Sequence, residues 1–276
     1  MNKRQVFSVL LYVILITCAV FTLFPFLWAV SGAFKSYKEI TGGGMSIIPQ
    51  NPTLETFQKL FLRDENFSRW VLNSFYVCTI GTVLNVFFNS MAGYSLARLD
   101  FKGKNLVFYM VLITIMVPGQ VLLIPNYLIV KTLGLMNSYN AIILPAAVNA
   151  TYIYMMRQFY FNFPKTIEEA AAIDGLSRVG IFFRISMPLA KIAIATQAVF
   201  IFLGFWNEFL KPKLYIQDQA KYTLTVGIQS MMSRYGGITQ WEEVMAASVI
   251  SLVPILFVYI VLNKYFMQGI RMDGEK

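Results

Sequence analysis

Residues 168–188 read EEAAAIDGLSRVGIFFRISMP, a charged, alanine-rich stretch set between long runs of hydrocarbon side chains. Locally it spells two short helices meeting at a glycine. Pro164 blocks continuation from the run before it, Thr166 suits an N-cap, and Glu169 stands three residues later, at the spacing of a capping box. Glu168 and Glu169 then fall in the first turn, where carboxylates favour the positive end of the helix dipole. Gly175 closes this helix, because the residue just past a helix end often takes a left-handed backbone. A second helix starts at Ser177, carries Ile181, Phe182 and Ile185 as an apolar stripe, and stops where Pro188 opens the next apolar run.

The surroundings decide what such a segment is for. Of the 276 residues 57% are apolar and 13% charged, too greasy a composition for a soluble globule and natural for an integral membrane protein. Gln5 to Phe34, Val71 to Ala97, Asn105 to Val130, Thr132 to Met156 and Val244 to Asn263 contain no Lys, Arg, Asp or Glu. Each is long enough for the roughly 20 helical residues that cross a bilayer core. A sixth run, Pro188 to Leu210, holds Lys191 and Glu208 only near its ends, where long side chains reach the interface. The sequence therefore predicts an all-α polytopic protein, one transmembrane domain over 1–276 with six spans at about 7–31, 70–97, 105–130, 136–157, 188–210 and 244–266. Lys3 and Arg4 before the first run also fit a signal peptide, but the run is about twice an ordinary signal core and lacks a clear cleavage site, so an uncleaved helix is expected.

Six crossings put both termini on one side, and the basic residues choose it. Thirteen of the 23 Lys and Arg, among them Arg98, Lys102, Lys104, Arg157, Lys165 and Arg178, fall on the side of the termini and of residues 168–188. Short basic loops stay cytoplasmic, so the N- and C-termini and the polar helices are expected inside. The net charge of +9 is then a signal of topology and of contact with membrane lipid, not a nucleic-acid footprint. Cys18 and Cys78 both fall inside spans, as inert packing.

Several chemistries are excluded by what is missing. With no histidine there is no imidazole catalysis and little basis for zinc. No phosphate-cradling G-x-x-x-x-G-K-[ST] loop occurs. The span centres also lack the carboxylates and lysines that ion-coupled carriers keep there. Energy from a separate subunit becomes the attractive source, and no cofactor is expected on this chain.

The first polar helix offers a suitable grip. Ala170, Ala171 and Ala172 have no bulk, so another backbone can approach closely, while Glu169 and Asp174 supply orienting charge. Anionic lipid would attract cations instead, so the expected contact is a protein. Glu169-Ala170-Ala171, three residues, Gly175, nine residues, then Ile185-x-Met187-Pro188 resembles the EAA loop of ABC-importer permeases, E-A-A-x3-G-x9-I-x-L-P; only Met187 for leucine departs from it. Along the whole chain VLLIPNYLIVKTLGLMNSYNAIILP, FLGFWNEFLKP, KYTLTVGIQSM and YFMQGI are similar to maltose-permease-like subunits of the carbohydrate-uptake branch, with its type I importer permease fold.

The resemblance implies that residues 165–175 are a coupling helix docked on a cytoplasmic ATPase. Glu169 and Asp174 would then be the charged contacts, Ala170 and Ala171 the close-approach surface, and Gly175 the turn. It further implies a heterodimer with a second permease subunit in a bacterial inner membrane, two ATPase subunits that carry ATP and magnesium, and an extracytoplasmic solute-binding protein that delivers a di- or oligosaccharide. Segments 41–53 and 233–243 would face that binding protein, and the tail around Gln268 and Gly269 would lie near the ATPase. On this implication the chain is a non-catalytic permease subunit. A module that recruits a cytoplasmic partner without transport is the alternative.

Sugars are held by aromatic faces and by amides or carboxylates. Phe205-Trp206-Asn207-Glu208 supplies all of these in one turn, but at 100° per residue only part of it faces any one way. Asn207 and Glu208 are the pathway candidates. Asn85 and Asn89, one helical turn apart, fit an interhelical hydrogen bond.

Overall fold

With no water in a bilayer core, a chain of this composition must satisfy its backbone internally, and helices do so within one segment. The computed structural model describes residues 3–42, 46–62, 65–232 and 238–273, without the side chains of Lys3, Arg4, Val6, Val9 and 262–273. Its regular elements are helices: α1 (Lys3–Ala33), α2 (Tyr37–Thr41), α3 (Glu55–Leu62), α4 (Phe67–Arg98), α5 (Lys104–Met116), α6 (Leu123–Thr132), α7 (Asn140–Ala146) and α8 (Ala150–Phe161). There follow α9 (Lys165–Ile173), α10 (Arg178–Ile181), a π-helical turn (Phe182–Ser186), α11 (Met187–Leu189), α12 (Lys191–Trp206), α13 (Leu210–Tyr215), α14 (Leu224–Met231) and α15 (Trp241–Asp273).

Among the described residues three helical segments are long and apolar enough to cross a membrane: Leu10–Ala33, Phe67–Arg98 and Trp241–Val261. A fourth crossing is formed if the pair Arg178–Leu189 and Lys191–Trp206, bent by 78°, counts as one. The bend falls at Ala190, so the helix entered at Pro188 turns before it runs on as α12. The remaining two apolar windows are not continuous helices, which differs from the expectation. The first breaks between α5 and α6, where Val117 is extended (φ −85°, ψ 118°) because the ring of Pro118 disfavours a helical residue before it. The thirteen residues of α5 reach about 20 Å at 1.5 Å each, short of the bilayer core of about 30 Å. The second breaks between α7 and α8 at Asn149, also extended (φ −136°, ψ 122°), whose side chain accepts from Thr151 N at 2.9 Å and so starts α8 afresh.

The chain packs as two units. One comprises described residues within Met1–Ser68 and Gly227–Pro254. In it the side chains of Ser31 and Lys35 donate to the carbonyls of Ile47 and Ser46, strapping part of the expected outer segment 41–53 to the end of α1. Residues 43–45 of that segment and 233–237 of the other outer segment lie outside the described residues, as do the side chains of Gln268 and Gly269.

The second unit comprises Arg69–Val226 and described residues within Ile255–Lys276. One core joins Val77 of α4, Val130 of α6, Ile142 of α7 and Tyr215 of α13. A second joins Tyr94, Met156, Tyr160, Phe182 and Ala190. Gly93 lets α4 meet α8 backbone to backbone: a Cβ there would stand 2.6 Å from Met156 Cβ and 2.8 Å from Arg157 N, the close approach that small residues permit in membrane bundles. Large apolar side chains point away from both cores, for example Ile113, 63% exposed, and Ile260, 72%. Water would penalise such a surface and lipid tails do not.

Candidate functional site

The polar segment forms the helix-glycine-helix unit that its sequence spells, with a different start. α9 begins at Lys165 with Pro164 in the N-cap position and no side-chain cap bond, so the Thr166–Glu169 capping box does not form. Proline's fixed φ favours starting a helix here, but it leaves the first N–H groups of α9 without a side-chain acceptor. The other end follows expectation. Gly175 has φ +85°, its N–H donates to Ala172 O at 3.1 Å, and Leu176 N donates to Ala171 O at 3.0 Å. These paired bonds form a Schellman cap, which a Cβ-bearing residue enters only at a cost. Ser177 then caps α10, its hydroxyl accepting from Gly180 N at 3.2 Å.

The helical period sorts the candidate docking residues. Glu169, Ala170, Asp174 and Gly175 are exposed, and Ile173 is 86% exposed. Ala171 is 6% exposed and packs inward, so it is not part of the open surface. Three residues before it on the same face, Glu168 is 5% exposed. Its carboxylate accepts from Ser186 Oγ at 2.9 Å and from Tyr94 OH at 3.5 Å, and it pairs with Arg98 Nε at 3.5 Å. Arg98 also donates to the carbonyl of Phe163, ahead of α9. Beside this group Tyr160, beyond the 136–157 span, has its hydroxyl raised above the usual phenol range by burial first, then by Tyr94 and Glu168. In the sequence Glu168 reads as a dipole partner and Arg98 as a topology charge. The i, i+3 spacing of Glu168 and Ala171 is the available signal for a shared inward face, but nothing local names the partners.

The pathway candidates separate as well. Phe205 and Glu208 line an open recess of ≈ 170 Å³, together with Asn85, Asn149, Tyr152 and Lys211. Lys211 holds Glu208 in an ion pair at 3.4 Å. Asn207 does not line it: its amide donates to Leu203 O, one turn back on its own helix, at 2.9 Å. Trp206 is buried, packed against Phe75 and Phe202. The 100° step between residues sends these four side chains in different directions.

Asn85 and Asn89 do bridge helices, as the sequence suggests. Asn89 donates to Asn85 Oδ1 and accepts from Asn149 N at 2.9 Å, while Asn85 donates to the Ala146 carbonyl. Two amides of α4 thus satisfy backbone groups that the break between α7 and α8 leaves open. The same break brings Asn149 and Tyr152 to the recess.

Comparison with known proteins gives the family and the fold. Residues 89–272 match the family described as binding-protein-dependent transport system inner membrane component. The chain is 34% identical to the arabinooligosaccharides transport system permease protein AraQ of Halalkalibacterium halodurans, covering 94% of this chain and 92% of that one. It is 33% identical to the polygalacturonan/rhamnogalacturonan transport system permease protein YtcP of Bacillus subtilis, covering 99% of each. Its fold resembles a chain in the crystal structure of a bacterial ABC transporter involved in import of the acidic polysaccharide alginate, with a TM-score of 0.87 at 23% identity over 96% of this chain and 98% of that one.

Proposed function

Because the chain belongs to the family of binding-protein-dependent transport system inner membrane components, we propose that it is one half of a heterodimeric pore through which a di- or oligosaccharide is imported at the expense of ATP. The observation that carries this reading is the two-faced α9, which is anchored inward through Glu168 and presents Glu169, Ala170, Ile173 and Asp174 outward. A helix held on one side and bare on the other suits a cleft on a cytoplasmic ATPase. That partner binds ATP and magnesium, and its closure moves α9 and rocks the spans between inward- and outward-facing arrangements. The chain itself carries out no chemistry.

The carbohydrate assignment is supported by the oligosaccharides named for the relatives and by the recess. Tyr152 and Phe205 present aromatic rings beside two amides, a carboxylate and an ammonium, which together suit the C–H faces and hydroxyls of a sugar. Solute arrives on an extracytoplasmic binding protein, passes Glu208, and leaves on the side of α9. In this reading six spans cross a bacterial inner membrane with both termini cytoplasmic, the third and fourth as broken helices. Irregular backbone at membrane depth is tolerated where it is buried in protein or lines a cavity, as it does here at Asn149.

The test is reconstitution of the chain with a sister permease subunit, the ATPase and the binding protein in sealed vesicles. Saccharide accumulation that requires all components and ATP supports the reading. Recruitment of the ATPase without flux supports the partner-recruiting module instead.

A further inference from the structure

The inward carboxylate of α9 is bound from two other elements at once. Glu168 Oε1 accepts from Ser186 Oγ in the π-helical turn at 2.9 Å and lies 3.5 Å from Nε of Arg98, the last residue of α4. Glu168 Oε2 is 3.5 Å from the hydroxyl of Tyr94, one turn earlier in α4. The two charged side chains are nearly sealed, Arg98 at 3% and Glu168 at 6% exposure. Even so, Arg98 Nε and Nη1 have no hydrogen-bond partner. The pair is therefore held by charge, without the two parallel N–H···O bonds that an arginine fork and a carboxylate can make at about 2.7–2.9 Å. Nη2 donates to the Phe163 carbonyl, and a shift of less than about 1 Å brings Nε to hydrogen-bond length from Oε1.

We propose that Arg98 and Glu168 form an internal joint with two settings, slack as seen here and closed to a hydrogen-bonded ion pair through Nε when α9 is displaced. Closing draws the end of α4 with it through Arg98. Through Ser186 it draws the π-helical turn, which leads by way of the 78° bend at Ala190 into α12. A π-helical turn has room for such movement because its hydrogen bonds are already out of α register. Packed elements switch between discrete arrangements and do not stretch, so a joint whose Nε donor is still unused is a means of passing a small displacement on. Glu168 is thus a positioning residue: it acts on the spans through Arg98 and Ser186 and touches neither solute nor nucleotide.

The joint rests on the reading of α9 as the docking helix, so the experiment uses the complete reconstituted transporter and reads solute moved per ATP hydrolysed. Glu168→Gln keeps the shape and an oxygen for Ser186 but loses the ion pair. Solute per ATP is expected to fall roughly tenfold, within the range of ordinary coupling energies, while ATPase retention on the complex stays unchanged. The double variant Arg98→Met/Glu168→Leu removes both buried charges together, a replacement that buried pairs tolerate, and it is read if the single variant does not assemble. The same loss in an assembled double variant is expected. Unsubstituted solute-per-ATP values in either assembled variant overturn the joint, and so does failure of the double variant to assemble, which makes the pair purely architectural. Absence of ATP-dependent uptake in the unsubstituted complex overturns the docking reading itself.

Discussion

Glu168 and Glu169 are neighbours in the chain, yet one faces inward and the other outward from the protein. The first is 5% exposed, held by Ser186 and paired with Arg98, while the second stands open on the outer face of α9. A single step of about 100° along the helix thus separates a surface that a partner can grip from the attachment that holds that surface to the rest of the chain.

The outer face is testable without disturbing the fold. Glu169→Lys and Ile173→Asp alter exposed side chains, and exposed substitutions usually change stability by no more than about 0.5 kcal/mol. Both variants are expected to insert and melt normally but to lose the ATPase on co-purification. Retention of the ATPase by both would remove α9 from the docking surface.

Gly175 tests the turn. A Cβ there meets nothing within 4 Å, so the penalty for Gly175→Ala is conformational, about 1–2 kcal/mol for a left-handed residue. Gly175→Pro is harsher, because proline needs φ near about −65° and the bond to Ala172 O is lost. Membrane insertion is expected to be normal and uptake abolished. Uptake at the unsubstituted rate in Gly175→Pro counts against this assignment of the turn.

Two other glycines differ in what surrounds them. Gly93→Ala drives a methyl into the backbone of α8 and should cost about 1–3 kcal/mol, seen as lower thermal stability in detergent. Gly204 lines the recess, and a Cβ there meets nothing within 4 Å. Gly204→Ala should leave stability unchanged or raise it by up to about 1 kcal/mol through helix propensity. Gly204→Phe should fill the recess and depress saccharide uptake while ATPase binding persists. Undiminished uptake in Gly204→Phe would exclude the recess from the pathway.

The amide bridge can be weighed by Asn89→Ala. It leaves the Asn149 N–H without its acceptor, a loss of about 1–3 kcal/mol were the donor sealed from water; Asn149 is exposed, and side-chain bridges between membrane helices average only about 0.6 kcal/mol. A loss between the two figures is expected, because a backbone group loses its partner at a part-buried bond. Equilibrium unfolding in bicelles would discriminate, and a loss below about 0.6 kcal/mol would show that the break between α7 and α8 finds another partner.

How much of this is legible in advance depends on the range of the interaction. The closing glycine, the Ser177 cap and the pairing role of Asn85 and Asn89 can be read because they turn on residues a few positions apart. The capping box misleads: Thr166 and Glu169 have the spacing, but the helix starts two residues earlier than that box requires, at Lys165 with Pro164 in the N-cap position. Of the two pathway candidates Glu208 reaches the recess and Asn207 does not, an outcome set by where α12 ends.

From sequence alone followed the membrane class, the number of apolar windows, and a polar helix-glycine-helix between the fourth and fifth of the six runs. These depend on charge-free length and on backbone preferences of single residues, both local properties. Only the tertiary structure decided that Glu168 turns inward, that Ala171 is covered, and that two apolar windows break, one of them where the recess forms. Those outcomes rest on contacts such as Asn89 with Asn149, sixty positions apart, and Arg98 with Glu168. A buried polar group takes whatever partner the packed helices bring within reach, and no spacing in the chain records which one that will be.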